Sequence, residues 1–168
     1  TYTHRVVALL AGSGTTLVCT RKTTPGMRVF EREAVRLGGG SLHRFGLSDG
    51  VMLKDNHVAA AGGVTQAVRA ARKSAPFVDK VEVECETLAQ VREAVDAGAD
   101  IIMLDNMDLA TMRRAVEMIG DRAIIEASGG VNLDTVRGIA ETGVDYISIG
   151  GLTKDVRAVD LSMRFKTW

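Results

Sequence analysis

Thr87-Leu88-Ala89-Gln90-Val91-Arg92-Glu93-Ala94-Val95-Asp96-Ala97-Gly98-Ala99-Asp100-Ile101-Ile102-Met103-Leu104-Asp105 is one complete helix-to-strand unit. Thr87 and Gln90 have the spacing of a capping box. Leu88, Val91, Ala94 and Val95 recur at helical spacing, and Gly98 supplies the stop. Residues 101–104 are a short apolar run of the kind a parallel sheet buries on both faces. The unit then recurs. Asp108 opens a helix carrying Leu109, Met112, Val116 and Ile119, which Gly120 closes before a strand at 123–125. Asn132 opens a third, carrying Leu133, Val136, Ile139 and Ala140, which Gly143 closes before a strand at 144–149. Gly98-Ala99-Asp100-Ile101 and Gly143-Val144-Asp145-Tyr146 hold the same place in this repeat, 45 residues apart.

Upstream the pattern is looser but compatible. The spacing predicts helices at 1–10, 27–37 and 64–75 and strands at 15–20 and 50–53. On a further strand Val81 and Val83 alternate with Glu82 and Glu84. Helices and strands that alternate across glycine junctions predict an α/β fold with a parallel sheet. Residues with chemistry end nearly every strand instead of gathering at one crossover, which favours a barrel over a doubly wound sheet. About six strands are present, against the eight strands and about 250 residues of a standard barrel. The expected architecture is therefore an incomplete TIM-like α/β barrel of parallel strands, formed as one domain over residues 1–168.

Composition narrows the function. The 21 basic and 21 acidic residues cancel, which argues against a nucleic-acid footprint or a polybasic membrane surface. No apolar run approaches the roughly 20 residues that span a bilayer. Val6 to Ala11 is too short an apolar stretch for a secretory signal. Cys19 and Cys85 fit neither a metal spacing nor a disulfide framework, and are expected reduced and buried, as suits a cytoplasmic protein. Eighteen glycines accompany only two prolines, a composition of repeated close turns and not of a disordered linker.

The strand ends carry the chemistry. Arg21 and Lys22 follow the first strand, His43 and Arg44 follow Gly38-Gly39-Gly40, and Lys54 follows the strand at 50–53. A single arginine is ordinarily solvated, but several cations at successive strand ends suit a multiply charged anion. Glu84 and Asp105 end neighbouring strands, and paired oxygens there suit Mg²⁺. The alternative is that each carboxylate accepts a backbone hydrogen bond or pairs with Lys54. Ser128-Gly129-Gly130 and Gly150-Gly151 bare backbone N–H groups that can cradle a phosphate, or else serve turns that need positive φ. His43 is either a ligand contact or a neutral, hydrogen-bonded histidine. His57 is open between support and contact, and His4 lies outside the set. The phosphate-loop, dinucleotide and nucleophile-elbow motifs are missing from the sequence.

Taken in order, 20–26, Gly39-Gly40 with His43-Arg44, Lys54-Asp55-Asn56-His57, 81–84, Met103-Leu104-Asp105-Asn106, Glu126-Ala127-Ser128-Gly129-Gly130, 141–146 and Leu152-Thr153-Lys154 resemble the quinolinate phosphoribosyltransferase family, also called nicotinate-nucleotide pyrophosphorylase (carboxylating). The resemblance runs over essentially the whole chain. It implies transfer of a phosphoribosyl group from phosphoribosyl pyrophosphate to quinolinate with loss of carbon dioxide, a step of NAD synthesis. It implies that Arg21, His43, Arg44 and Lys54 line the quinolinate pocket and that Lys22 faces pyrophosphate or a substrate carboxylate. Glu84 and Asp105 would hold the Mg²⁺–pyrophosphate and the ribose hydroxyls, directly or through substrate and water. Lys54, Glu84 and Asp105 are thereby the expected catalytic set, and Ser128, Gly129, Gly130, Gly150 and Gly151 would take the 5′-phosphate.

The family also carries an N-terminal domain that these 168 residues do not include. In the family that domain packs on a neighbouring barrel and lends it an arginine, so a homodimer or larger homo-oligomer with shared sites is expected. The first helix and the tail at 155–168 would meet it, leaving Trp168 exposed in its absence. Leu42 precedes His43 where many relatives have asparagine. Two other readings remain open at this point: a related molybdenum-associated protein of unknown substrate, and a non-catalytic barrel fragment that binds phosphate or nucleotide.

Overall fold

In the computed structural model of the chain, which describes residues 1–166, six parallel strands form one sheet. They are β1 (Thr16–Val18), β2 (Val51–Leu53), β3 (Val81–Cys85), β4 (Ile101–Asp105), β5 (Ile124–Ser128) and β6 (Tyr146–Ser148). Their spatial order is β1-β6-β5-β4-β3-β2. That is a ring in chain order lacking only the seam between β1 and β2, so the barrel is incomplete, as the strand count predicts. Ser41 stands beside the open edge of β1. Its N–H donates to Leu17 O at 2.7 Å, and its carbonyl accepts from Cys19 N at 3.2 Å.

Among the described residues eight α-helices accompany the strands: α1 (Tyr2–Leu9), α2 (Arg28–Leu37), α3 (Asp55–Ala61), α4 (Val64–Ser74), α5 (Leu88–Ala97), α6 (Leu109–Ile119), α7 (Val136–Ala140) and α8 (Gly151–Lys154). Helix α5 shows how the sequence builds them. Thr87 Oγ1 accepts from Gln90 N at 3.3 Å, and Gln90 Oε1 accepts from Thr87 N at 3.0 Å. Val91 and Ala94 are buried completely. Gly98 ends the helix at φ 79°, a left-handed conformation that costs glycine no Cβ clash.

Strand alternation sorts the side chains into two layers. Val81, Val83, Ile102, Leu104 and Ile147 are fully buried in the hydrophobic core; a side chain of this kind contributes about 1.5–3 kcal/mol on burial. The alternate residues Glu82, Ile101, Ile124, Glu126 and Tyr146 line the barrel interior instead.

The 45-residue repeat has a structural purpose. Asp100 stands one residue ahead of β4, and its Oδ2 accepts from Val81 N of β3 at 2.7 Å. Asp145 stands one residue ahead of β6, and its Oδ2 accepts from Ile125 N of β5 at 2.8 Å. Each aspartate ties the entrance of its strand to the preceding one and so pins a parallel register that a one-residue slip would invert.

Several boundaries differ from the sequence reading. The strand expected at 123–125 runs on to Ser128, because β4 and β6 pair with it on both sides. Ser128 is therefore its last residue and does not follow it. Asn132 caps a turn, its Oδ1 accepting from Asp134 N at 2.9 Å and Thr135 N at 3.2 Å, and the helix starts only at Val136. Helix α3 was hidden because it buries no residue and so has no apolar period. Residues 156–166 form no regular element, and Val159, Leu161, Met163 and Phe165 are exposed. The expectation for Trp168 lies outside the described residues.

Asp145→Ala leaves Ile125 N–H without its partner and should cost about 1–3 kcal/mol in urea unfolding. Asp145→Asn keeps an acceptor and should recover part of that loss. An alanine variant as stable as the parent would remove the register role.

Candidate active site

A cavity of about 600 Å³ opens at the carboxyl ends of the strands. Arg21, Lys22, His43, Arg44, Lys54, Glu84, Asp105, Ser128, Gly129, Gly130, Gly150 and Gly151 all line it. Every residue expected in the site from the sequence is thus brought to one mouth.

The loops of that mouth touch one another. Thr153 Oγ1 of α8 donates to Lys22 O at 2.7 Å, and Lys22 N donates to Thr20 Oγ1 at 3.2 Å. This fixes the Arg21-Lys22 loop against the Gly150-Gly151 turn. At the β4–β5 ends, Asn106 N donates to Ser128 O at 2.9 Å, and Asn106 Nδ2 donates to Asp105 Oδ2 at 2.8 Å. A Cβ on Gly129 would fall 2.2 Å from Asn106 Oδ1, and its φ of +89° is itself unfavourable to other residues. Glycine is required there by close approach and by backbone conformation together.

Lys54 Nζ pairs with Glu84 Oε2 across the β2–β3 ends. Lys54 thus engages one carboxylate oxygen of Glu84. His57 does not enter the cavity. Its Nδ1 accepts from Lys54 N at 2.9 Å, so it caps α3 and steadies the backbone that carries Lys54. His4, on α1, is exposed and away from the mouth.

The sequence reading missed two residues of this region. Glu82 and Glu126 are buried, each 4 % exposed, and they flank His43. His43 Nε2 lies 3.2 Å from Glu126 Oε2 and 3.6 Å from Glu82 Oε2. Glu126, then Glu82, push the imidazole pKa up from 6.5 to about 10, against the effect of burial. Arg44 N lies 2.8 Å from His43 Nδ1, a bond that only an unprotonated Nδ1 accepts; the two buried carboxylates outweigh this single bond and favour the imidazolium, whose Nε2 proton sits between them. Burial pushes the Glu82 carboxyl up, with His43 pulling against it. A sequence signal did exist. Glu82 and Glu126 each stand two residues before a mouth residue, Glu84 and Ser128, and share its inward face.

Arg21 Nε, Glu82 Oε1, Glu126 Oε1 and Ser148 Oγ are buried without a hydrogen-bond partner among the described residues. Buried polar atoms are normally paired with protein or water, and the residues that carry these four line the barrel interior. Beneath the mouth a second cavity of about 390 Å³ opens toward the other end of the barrel, sharing His43, Arg44 and Glu126. Leu42 lines that lower space.

Fold and cavity define the class: a parallel α/β-barrel domain whose strand ends bring cations, carboxylates and glycine turns to one mouth. The family profile described as quinolinate phosphoribosyl transferase, C-terminal domain, matches residues 1–164. A protein of Bacillus subtilis named probable nicotinate-nucleotide pyrophosphorylase (carboxylating) is 47% identical over 163 residues, covering 97% of this chain and 56% of its own length. The crystal structure of NadC from Streptococcus pyogenes superposes with a TM-score of 0.91 at 48% identity, covering 98% of this chain and 57% of that one. The nicotinate-nucleotide pyrophosphorylase of Francisella tularensis superposes at 0.92 with 42% identity, covering 96% and 57%. The chain belongs to the quinolinate phosphoribosyltransferase family and corresponds to its C-terminal domain. It spans less than three fifths of the length of these relatives.

Because its folded-state pKa is raised, His43 contributes stability that is fully present below pH 6.5 and lost as pH rises through about 10. Chemical denaturation across that window should show parent stability falling with pH. His43→Gln should flatten the fall, and an equal slope in both proteins would contradict the ionised imidazole.

Proposed function

We propose that the complete protein transfers the phosphoribosyl group of phosphoribosyl pyrophosphate to quinolinate and releases pyrophosphate and carbon dioxide, giving nicotinate mononucleotide for NAD synthesis. This chain supplies the barrel that carries most of the site. The observation behind the proposal is the shared mouth, where Arg21, His43, Arg44 and Lys54 stand on the same cavity as the Ser128-Gly129-Gly130 and Gly150-Gly151 loops. One cavity of about 600 Å³ then receives a dicarboxylic acid and a phosphorylated sugar side by side. Relatives from Bacillus subtilis, Methanothermobacter thermautotrophicus and Synechocystis are each named probable nicotinate-nucleotide pyrophosphorylase (carboxylating), which supports the reading.

The residues have distinct tasks. Arg21, Arg44 and Lys54 bind the two carboxylates, with His43 held in place beneath them by Glu82 and Glu126. Arginine suits a carboxylate in a two-pronged grip, and Lys54 acts as a mobile charge. Backbone N–H groups of Ser128, Gly129, Gly130, Gly150 and Gly151 take the 5′-phosphate, and Lys22 faces the pyrophosphate. As the bond from the anomeric carbon to pyrophosphate breaks, positive charge develops on the ribose. Glu84 and Asp105 stabilise it and hold the ribose hydroxyls. The pyridine nitrogen forms the new bond to that carbon and becomes cationic. The adjacent carboxylate then leaves as carbon dioxide, its electron pair stays on the ring, and the ring carbon takes up a proton. Orientation and charge placement do the work, with no protein nucleophile.

The donor set at the mouth fits Mg²⁺. Asp105 and Glu84 offer carboxylate oxygens from neighbouring strand ends, the ligand type that a hard cation takes together with substrate phosphates. With Lys54 already on Glu84, Asp105 would be the main protein residue to hold the ion. When bound it neutralises the leaving pyrophosphate.

The remainder of the whole protein belongs to the same proposal. A homodimer with shared sites accounts for the exposed Val29, Phe30 and Leu37 on α2, and an N-terminal domain for the exposed apolar residues at 156–166. No helix is long and apolar enough to cross a membrane among the described residues. The bacterial and archaeal relatives favour the cytoplasm, whereas plant relatives are named as chloroplastic and mitochondrial.

Full-length protein given Mg²⁺, phosphoribosyl pyrophosphate and quinolinate should form nicotinate mononucleotide. Turnover of nicotinate with none of quinolinate would defeat the assignment. Lys54→Ala should weaken quinolinate binding by about tenfold or more, as for loss of one charge-assisted contact, with thermal unfolding little changed. Unaltered affinity would remove Lys54 from the acid pocket.

A further inference from the structure

We infer that Arg28 and Arg32, one turn apart on α2, are positioning residues for the acid-binding half of the mouth, taking the acid to be the quinolinate of the proposed reaction. Neither lines the cavity. Both act through the backbone carbonyls of the two loops that carry its cations.

Arg32 is 9% exposed, the one arginine among the buried residues described. Its Nη1 donates to His43 O at 2.7 Å and to Arg44 O at 3.2 Å, and lies 3.6 Å from Cys19 Sγ. Arg28 Nη2 donates to Arg21 O at 3.3 Å, its Nη1 to Phe45 O at 3.2 Å and its Nε to Thr23 Oγ1 at 3.0 Å. The Phe45 ring packs against both guanidinium groups, 5.2 Å from Arg32 and 5.9 Å from Arg28. Glu31 of the same helix accepts Thr24 N–H at 3.0 Å. A single rigid element thus sets the spacing between the Arg21 loop and the His43-Arg44 loop.

Burying a guanidinium is expensive unless it is paired or richly hydrogen-bonded. Among the described residues neither Arg28 nor Arg32 has a carboxylate within salt-bridge distance. Carbonyl oxygens and the Phe45 face offset the cost. A core that wanted only stability would place an apolar side chain at Arg32. Two things follow from keeping arginine instead. Its planar guanidinium packs on the Phe45 ring and so aims one nitrogen, Nη1, at two successive carbonyls, an aim that the flexible stem of lysine does not fix. Its charge, uncancelled by any carboxylate, adds to the positive potential at an anion-binding mouth. Among the mouth loops Arg32 bonds only to the one that carries His43 and Arg44, whereas the Gly150-Gly151 turn is tied through Thr153 Oγ1 to Lys22 O, so a change at Arg32 acts first on the acid half.

The test uses the full-length protein, with calorimetric titration by quinolinate and separately by pyrophosphate, and amide hydrogen exchange over residues 43–45. Arg32→Lys keeps the charge and loses the planar group that packs on Phe45 and aims Nη1. It should lose quinolinate affinity by about tenfold or more, the scale expected when a binding group is displaced without being removed. Pyrophosphate affinity should hold, and the 43–45 amides should exchange faster. Arg32→Met removes the charge as well and should weaken quinolinate further; if it fails to fold, Arg32→Lys still decides. Unchanged quinolinate affinity in Arg32→Lys, equal weakening of both ligands, or unaltered exchange at 43–45 overturns the positioning role. If the parent protein takes up no quinolinate, the substrate assignment fails by itself, and the exchange comparison still settles what Arg32 does.

Discussion

Neighbouring side chains on a β-strand must point to opposite faces, and that constraint orders everything else in this barrel. One face of β3, β4, β5 and β6 is dry: Val81, Val83, Ile102, Leu104, Ala127 and Ile147 lie in the hydrophobic core. The other face is where Glu82, Glu84, Asp105, Glu126 and Ser128 emerge. A slip of one residue would bury the charges and wet the core. Asp100 and Asp145 tie down that register at the strand entrances, some distance along the strands from the mouth it shapes.

The inward face carries an electrostatic problem of its own. Glu82 and Glu126 are buried and close enough to face one imidazole, and two carboxylates in such a place repel unless a cation or proton intervenes. His43 supplies the proton between them, and Arg44 adds a nearby positive charge. Above this layer the strand ends mix the sign of the rim. Cations arrive from β1, the 41–50 segment and β2, carboxylates from β3 and β4, and bare amides from the ends of β5 and β6. A chain of zero formal net charge therefore still presents a strongly polar, sign-segregated mouth. Helix α2 stands behind the cationic sector and holds its two loops at one spacing.

Much of this was legible in local pattern, because local rules governed it. Thr87 with Gln90, Asp108 with Thr111, and the glycines at 98 and 143 obey helix-end chemistry that acts within a few residues. Strand-end position was enough to assemble the mouth residues on one rim. The gaps arise where partners are distant in sequence. The Gly-X-Asp repeat was visible as a repeat, but its hydrogen bonds run to Val81 and Ile125 on other strands. Glu82 and Glu126 were passed over because a charged residue inside an apolar strand makes sense only once His43, about 40 and 80 positions away, is seen between them. Arg28 and Arg32 look like the ordinary solvated face of a helix until the loops they hold are brought beside them.

The central claim is that one mouth grips two anions together. The direct measurement is a crystal structure of the full-length protein with quinolinate and a non-reacting analogue of phosphoribosyl pyrophosphate. The account predicts the acid's carboxylates on Arg21, Arg44 and Lys54, with the sugar's 5′-phosphate on the amides of Ser128 to Gly130 and Gly150 to Gly151, in a single cavity. An acid seated in the lower space beside Leu42, or a phosphate bound away from those glycine turns, would contradict it.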